Sequence, residues 1–150
     1  MNITQIYLAG PLFTAAEISF NLKLYYDLVS KGYKVFLPQT ECAGKTLEDI
    51  YLTCRNGIDS SSVVLAILDG ADADSGTCWE CGYATAKGIP VIGLRTDFRK
   101  SGDTGGFNAM IFYSAIKVID GEKDYFNKVL DSLEYVKKNI KEPSPQLVQH

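Results

Sequence analysis

Acidic residues are concentrated in one segment near the middle of the chain. Asp69, Asp72 and Asp74 stand close together, and Glu80 follows in the first turn of a predicted helix. One ionised carboxylate and one proton-donating carboxylate are the pair that retaining glycosyl chemistry uses. We expect the helix dipole to keep Glu80 ionised, which suits a nucleophile or an acceptor for a hydroxyl. A nearby aspartate is then the better proton donor, because neighbouring negative charges favour its protonated form.

The same residues also have a purely structural interpretation. Thr77 and Glu80 have the spacing of a capping box, with threonine at the N-cap and glutamate three residues later. In that interpretation Glu80 only accepts a hydrogen bond from a backbone N–H, and the cap contributes roughly 1 kcal/mol. The aspartates would then belong to a solvated turn. The local pattern favours neither interpretation over the other.

Composition limits the class of protein. The 150 residues carry a net charge of −3, and 46% of them are hydrophobic. These values are typical of one globular domain and not of a nucleic-acid coat. The longest apolar run, 63–68, is too short to cross a membrane. The first residues lack the features of a signal peptide, so we expect a cytoplasmic protein.

Histidine and cysteine offer little catalytic chemistry in this sequence. The one histidine is His150, so we expect neither serine–histidine nor cysteine–histidine catalysis and no His-rich metal site. Cys78 and Cys81 form a Cys-x-x-Cys pair, but no second pair is present to complete a zinc site. We interpret the pair as small core or helix residues. We expect the protein to need neither a metal nor an organic cofactor.

Predicted strands and helices alternate along the chain. Strands are expected at 3–9, 33–37, 63–68, 90–94 and 114–119. The first helix is expected to begin after an N-cap at Thr14, with Glu17 in capping-box position, and to end at Ser30, with Gly32 as C-cap. Further helices are expected at 47–59, 77–87 and 124–140. This alternation predicts an α/β three-layer sandwich with a five-stranded parallel sheet, flavodoxin-like or Rossmann-like. We expect a single domain at 1–141 and a polar tail at 142–150.

In such sheets, ligands bind beyond the carboxyl ends of the strands, where the strand order reverses. The loops at these ends are 10–13, 38–46, 69–77 and 95–108. Gly10 would allow a ligand close to the backbone, and Phe13 could stack on a flat ring. The structural alternative for Phe13, and for Tyr7 in the preceding strand, is core packing. A buried Tyr7 hydroxyl would nevertheless need a polar partner.

Two motifs together resemble the nucleoside 2-deoxyribosyltransferase family. They are Ile-Tyr-Leu-Ala-Gly-Pro-Leu-Phe at 6–13 and Asp69-x₄-Asp74-x-Gly-Thr-x-x-Glu80-x-Gly-Tyr-Ala. The resemblance covers about residues 3–119 and implies a flavodoxin-like fold. It also implies transfer of 2-deoxyribose between nucleobases through a covalent deoxyribosyl-enzyme ester. Glu80 would be the nucleophile, Tyr7 would hold its carboxylate in line, and Asp74 would assist near the sugar and base.

The resemblance also implies how substrate is bound. The expected substrate-binding residues are Gly10, Pro11 and Phe13 on the base side, Gln39 at a base edge, and Asp72, Gly76 and Asn108. Asn108, in Phe-Asn-Ala-Met at 107–110, is similar to the Asn-x-Met segment that a neighbouring subunit lends to the pocket. A homo-oligomer is therefore implied. Its partners would be 2-deoxynucleosides and free nucleobases, with no nucleic-acid polymer and no membrane.

Two segments depart from the family pattern. Cys54 stands where some members carry another aspartate, so Asp72, Asp74 or water must protonate the leaving base. The segment 94–99 is not explained by the family core. It would be a charged loop, a lid, or an anchor for a charged substrate group.

Three other functions stay open. A related hydrolase would cleave 2-deoxynucleoside 5′-monophosphates by the same chemistry, with water intercepting the ester. Its phosphate would need Ser75, Thr77, Arg95 or Arg99. A lysine-decarboxylase-like phosphoribohydrolase shares only Gly-Thr-x-x-Glu with this chain. A non-catalytic nucleotide-binding module would use Glu80 as an acceptor for a ribose hydroxyl or as a cap.

Overall fold

Strands and helices alternate through the residues that the computed structural model describes, which are 2–100, 102–121 and 123–140. The strands are β1 (Ile6–Ala9), β2 (Val35–Phe36), β3 (Val63–Ile67), β4 (Val91–Arg95) and β5 (Lys117–Asp120). The helices are α1 (Ala15–Ser30), α2 (Pro38–Glu41), α3 (Leu47–Asp59), α4 (Ser75–Ala86), α5 (Ala109–Ser114) and α6 (Tyr125–Asn139). None of these described helices combines the length and the hydropathy that a membrane span requires. The expected polar tail lies outside the described residues.

The five strands form one parallel sheet in the order β2-β1-β3-β4-β5. This is the flavodoxin-like order, and the predicted α/β fold with a five-stranded parallel sheet is confirmed. The chain order reverses on either side of β1, since β2 lies on one side and β3 on the other. A crevice for a ligand is therefore expected at the carboxyl ends of β1 and β3.

Apolar side chains cover both faces of the sheet. Because side chains alternate along a strand, Ile6 and Leu8 pack with residues of α1 and α6 in one cluster. Tyr7 and Ala9 join the other cluster, which contains residues of α3, α4 and α5. All five residues of β3 are buried, as expected for a central strand. The alternation thus sends Tyr7 toward α4.

Several helix ends follow the predicted capping signals, and others differ from them. The Thr14 capping box is present at the start of α1, and Gly32 follows its end with φ +86°. Pro38 begins α2, where a loop was expected, because proline at the first helical position has no N–H to satisfy. Ser114 ends α5 and does not open a strand, so the fifth strand starts later, at Lys117.

Candidate active site

A hydrogen bond between β1 and α4 defines the centre of the site. The Tyr7 hydroxyl donates to Glu80 Oε1 at 2.5 Å. Tyr7 is fully buried, and its ring stacks on that of Phe36 with centroids 5.1 Å apart. The Phe36 ring in turn lies against Gly57, where an added Cβ would come within 2.6 Å of it. This packing fixes the direction in which Tyr7 presents its hydroxyl to Glu80.

Glu80 lies in the second turn of α4, and the predicted Thr77–Glu80 capping box is wrong. The N-cap is Asp74. The backbone N–H and the hydroxyl of Thr77 both donate to Asp74 Oδ2, at 2.9 and 3.2 Å. Because aspartate is a strong N-cap residue, the helix begins after Asp74 and before Thr77. Thr77 itself is buried. The Glu80 carboxylate therefore serves no cap and is directed to Tyr7.

Burial controls the charge of Glu80. Desolvation raises the pKa of Glu80 to about 7, and the Asp74 charge adds to this rise, while the hydrogen bond from Tyr7 opposes it. At neutral pH the carboxyl is therefore about half ionised, which corrects the expectation that the helix dipole alone holds it ionised. Burial and the Glu80 charge also raise the pKa of Tyr7. Tyr7 consequently keeps its proton and donates it in the hydrogen bond.

The Glu80 carboxylate faces a cavity of about 460 Å³, within the usual size range of small-molecule sites. Three of the four predicted ligand loops contribute to it, together with α3. Its lining consists of Gly10, Leu12, Phe13, Pro38, Gln39, Cys42, Ala43, Leu47, Ile50, Cys54, Asp74, Gly76, Thr77 and Glu80. Two carboxylates and a largely apolar wall thus share one cavity at the reversal of strand order.

The cavity brings several of the expected substrate-binding residues together. Gly10, Phe13, Gln39 and Gly76 all line it. Phe13 is 74% exposed, so the core-packing interpretation of this side chain is wrong. At Gly10 an added Cβ would lie 3.1 Å from the Cβ of Ile67, so the glycine allows close packing onto β3.

Three expected residues lie outside this cavity in the single chain. Pro11 is buried, its carbonyl accepts from Asn21 Nδ2 at 2.9 Å, and it lines a separate depression beside α1. Asp72 is exposed and borders a groove between α4 and α5. Asn108 accepts from the Met110 N–H at 2.9 Å and caps α5. The single chain therefore places none of these three residues in the wall of the Glu80 cavity.

The segment 94–99 is tied to the loop after β3. Arg95 is buried, and its guanidinium donates to the carbonyl oxygens of Leu68, Gly70 and Arg99 at 2.8 to 2.9 Å. The Arg99 guanidinium is paired with Asp97. These contacts favour the interpretation of a charged structural loop over that of a lid.

Asp69 and α3 have roles that the sequence pattern does not reveal. The Asp69 carboxylate accepts from the N–H and the hydroxyl of Thr96, both at 2.5 Å, and so joins the loops after β3 and β4. Leu47, Ile50 and Cys54, which recur along α3 with helical spacing, line the cavity. Leu47 is 86% exposed, although its spacing is that of a core position. Periodicity identifies an apolar face and does not show whether a helix or a ligand covers it.

The chain belongs to the nucleoside 2-deoxyribosyltransferase family, whose model matches residues 6–133. This confirms the resemblance seen in the two motifs. None of the curated proteins compared with the chain matches it.

Solved structures share this fold. A conserved protein from Enterococcus faecalis V583 is 27% identical, with a TM-score of 0.72, and the match covers 87% of this chain and 99% of that one. A 2-deoxyribosyltransferase from Bacillus psychrosaccharolyticus is 24% identical, with a TM-score of 0.68 and coverage of 82% and 90%. A CMP N-glycosidase from Clostridium botulinum is 20% identical, with a TM-score of 0.60 and coverage of 83% and 97%. The last two show likeness of fold alone.

Proposed function

We propose that the chain is a nucleoside 2-deoxyribosyltransferase that exchanges the base of 2-deoxynucleosides through a deoxyribosyl–Glu80 ester. The observation that carries this proposal is the Tyr7–Glu80 hydrogen bond at the wall of the cavity. A nucleophilic carboxylate must be held in a fixed orientation, and part of its population must be ionised at the working pH. The bond from Tyr7 supplies the first, and a pKa of about 7 supplies the second.

The reaction follows from these groups. A Glu80 oxygen attacks the anomeric carbon, and the N-glycosidic bond breaks with its electron pair going to the base. The transition state resembles an oxocarbenium ion, which forms more easily because 2-deoxyribose has no 2-hydroxyl. Asp74, which lines the same cavity, protonates the leaving base directly or through water. A nitrogen of a second base then attacks the anomeric carbon, the bond from that carbon to the Glu80 oxygen breaks, and the base gives its N–H proton to Asp74 or water.

The charges around the cavity support a nucleoside over a 5′-monophosphate. Among the described residues, the lining contains the carboxylates of Asp74 and Glu80 and neither lysine nor arginine. Arg95 is held by backbone carbonyls and Arg99 is paired with Asp97. A doubly charged phosphate beside two carboxylates would be repelled. A neutral 2-deoxynucleoside avoids that cost.

We extend the proposal to a homo-oligomer in which the Asn108 segment of one subunit completes the cavity of its neighbour. Asn108 is exposed and Met110 is 79% exposed, as expected for side chains offered to another chain. We place the reaction in nucleotide salvage, because base exchange reuses free bases. We place it in the cytoplasm, because all four cysteines are free thiols, as is usual in a reducing compartment. Mixing inactive Glu80→Gln subunits with Asn108→Asp subunits should restore part of the activity if cavities are shared.

Base exchange tests the proposed reaction. The protein is incubated with a 2-deoxynucleoside and a second free base, and all species are separated by chromatography. Wild type and the surface control Glu134→Gln should form the new nucleoside, whereas Glu80→Gln should lose about 10³-fold or more of the rate. Free deoxyribose without exchange would instead indicate a hydrolase. Binding of nucleoside without release of base would indicate a binding module.

A further inference from the structure

Two thiols face each other in the wall of the Glu80 cavity. Cys42 is the C-cap of α2, and Cys54 lies in the middle of α3. Their Sγ atoms are 3.5 Å apart, and both residues line the cavity that contains Glu80. Both are free thiols. The reaction proposed above uses neither of them.

The arrangement allows a disulfide with little movement. An S–S bond is about 2.05 Å long, so the two sulfurs must approach by about 1.5 Å. Cys42 ends a helix of four residues, and residues 43–47 after it are all exposed. A short helix followed by an exposed connection can shift more easily than α3, which packs against the sheet through Ile58.

Cys54 is also coupled electrostatically to Tyr7 and Glu80. The Cys54 thiol contributes to the raised pKa of Tyr7, and the Glu80 charge contributes to the raised pKa of Cys54. Tyr7 in turn donates its hydrogen bond to Glu80. A bond to Cys42 would remove the thiol proton of Cys54 and so change its electrostatic interaction with Tyr7. It would also pull α2 toward α3 and reshape the wall that faces the base. The state of the two thiols is therefore connected to the position of Glu80.

We propose that Cys42 and Cys54 are a redox modification site, and that their reversible disulfide lowers turnover in the Glu80 cavity. A peroxide transfers one oxygen to the Cys42 sulfur, giving a sulfenic acid and one water. The Cys54 sulfur then displaces the hydroxyl, loses its own proton, and forms the S–S bond with release of a second water. In total the two thiols lose two protons and two electrons, and the peroxide is reduced to two waters. A dithiol reverses the step by exchange.

The order of the two steps follows from the surroundings. Burial raises the pKa of Cys54 to about 12, so this thiol stays protonated and is a poor first target for peroxide. Cys42, beside the exposed connection, is the sulfur that reacts first. Cytoplasmic disulfides of this kind are usually transient and redox-sensing.

The chain contains an internal comparison. Cys81 is 1% exposed, and the Cys78 thiol donates to the Ala73 carbonyl. These two side chains form the Cys-x-x-Cys pair, yet they are less suited to oxidation than the two residues twelve positions apart. The Cys-x-x-Cys spacing alone would therefore point to Cys78 and Cys81 and not to Cys42 and Cys54 as the pair suited to a disulfide.

Peptide mapping after oxidation tests the proposal. Reduced full-length protein is treated with hydrogen peroxide, its remaining thiols are alkylated, and its peptides are mapped by mass spectrometry. Wild type and the control Cys78→Ser should each yield a Cys42–Cys54 cross-link. Their base exchange should fall by about 10-fold or more, because displacement of a positioned group costs on that order. Dithiothreitol should restore both samples.

Cys42→Ser and Cys54→Ser, each compared with its own untreated sample, should show no cross-link and no reversible loss. A wild-type map without the cross-link would overturn the proposal, and so would a cross-link that leaves the exchange rate unchanged. The effect on turnover rests on the proposed function. If the proposed function is wrong, untreated wild type will show no base exchange. The peptide map would still show whether Cys42 and Cys54 form the disulfide.

Discussion

Removing the Tyr7 hydroxyl should change the pH at which Glu80 works. Tyr7→Phe keeps the buried ring and its stacking on Phe36 but removes the donor to Glu80 Oε1. That hydrogen bond lowers the pKa of Glu80, against the rise caused by burial. Without it, the pKa of Glu80 must rise further, and less of this proposed nucleophile is ionised at neutral pH.

The magnitude can be worked from the bond itself. A hydrogen bond to a charged group contributes about 1.5–3 kcal/mol, and 1.36 kcal/mol corresponds to one pKa unit. Starting from about 7, the pKa of Glu80 should therefore reach about 8 to 9. The ionised fraction at pH 7 would fall from about half to about 1–10%, so turnover should fall by about 5- to 50-fold.

The assay is the pH profile of base exchange from pH 5 to pH 10. We expect the acidic limb to move up by about 1–2 pH units in Tyr7→Phe, with the deficit shrinking above pH 9. Tyr83→Phe is the matched control, because the Tyr83 hydroxyl donates at 3.0 Å to Asp59 on the surface, away from Glu80. Its profile should follow that of wild type. An equal loss of turnover at every pH in Tyr7→Phe would refute the argument from charge.

The remaining predictions concern stability and packing. The raised pKa of Glu80 means that the folded state holds its proton more tightly than the unfolded state, so this group should destabilise the fold as pH rises from about 4.5 to 7, by up to about 3 kcal/mol. Denaturant unfolding should show Glu80→Gln gaining stability over wild type across that window, and a constant difference would contradict it. Gly57→Ala should unfold at lower denaturant and lose turnover because its Cβ meets Phe36, whereas Gly82→Ala, with open space around its Cβ, should be neutral or stabilised by about 0.5–1 kcal/mol. Asp74→Asn should keep the α4 cap within a few tenths of a kcal/mol yet lower turnover by about 10²-fold, and a variant that keeps full turnover would remove Asp74 from the reaction.

Much of the fold could be predicted because its signals are local. The apolar run at 63–68 and the periodicity of Leu47–Asp59 predicted a buried strand and a helix, and both are present. The four-residue α2 and six-residue α5 are too short to show a period. Pro38 can stop a strand or start a helix, and local sequence does not distinguish the two.

The motifs predicted some of the residues that line the cavity, such as Gly10, Phe13 and Glu80, but not the charge state of Glu80. Asp74 and Thr77 are both good N-cap residues, and burial of Thr77 decided between them. The partner of Glu80 is Tyr7, 73 positions away, and it faces α4 only because of how the helices cross the sheet. The raised pKa of Glu80 arises from that packing, so the helix position alone predicted the wrong charge state.

The central claim is a covalent bond between deoxyribose and Glu80. Acid-quenched protein incubated with a 2-deoxynucleoside alone should be examined by intact mass spectrometry and peptide mapping. We predict one added deoxyribosyl group on the peptide containing Glu80, lost when a free base is supplied and not formed in Glu80→Gln. Protein that exchanges bases at full rate without any such adduct, or that carries it on another residue, would contradict the account.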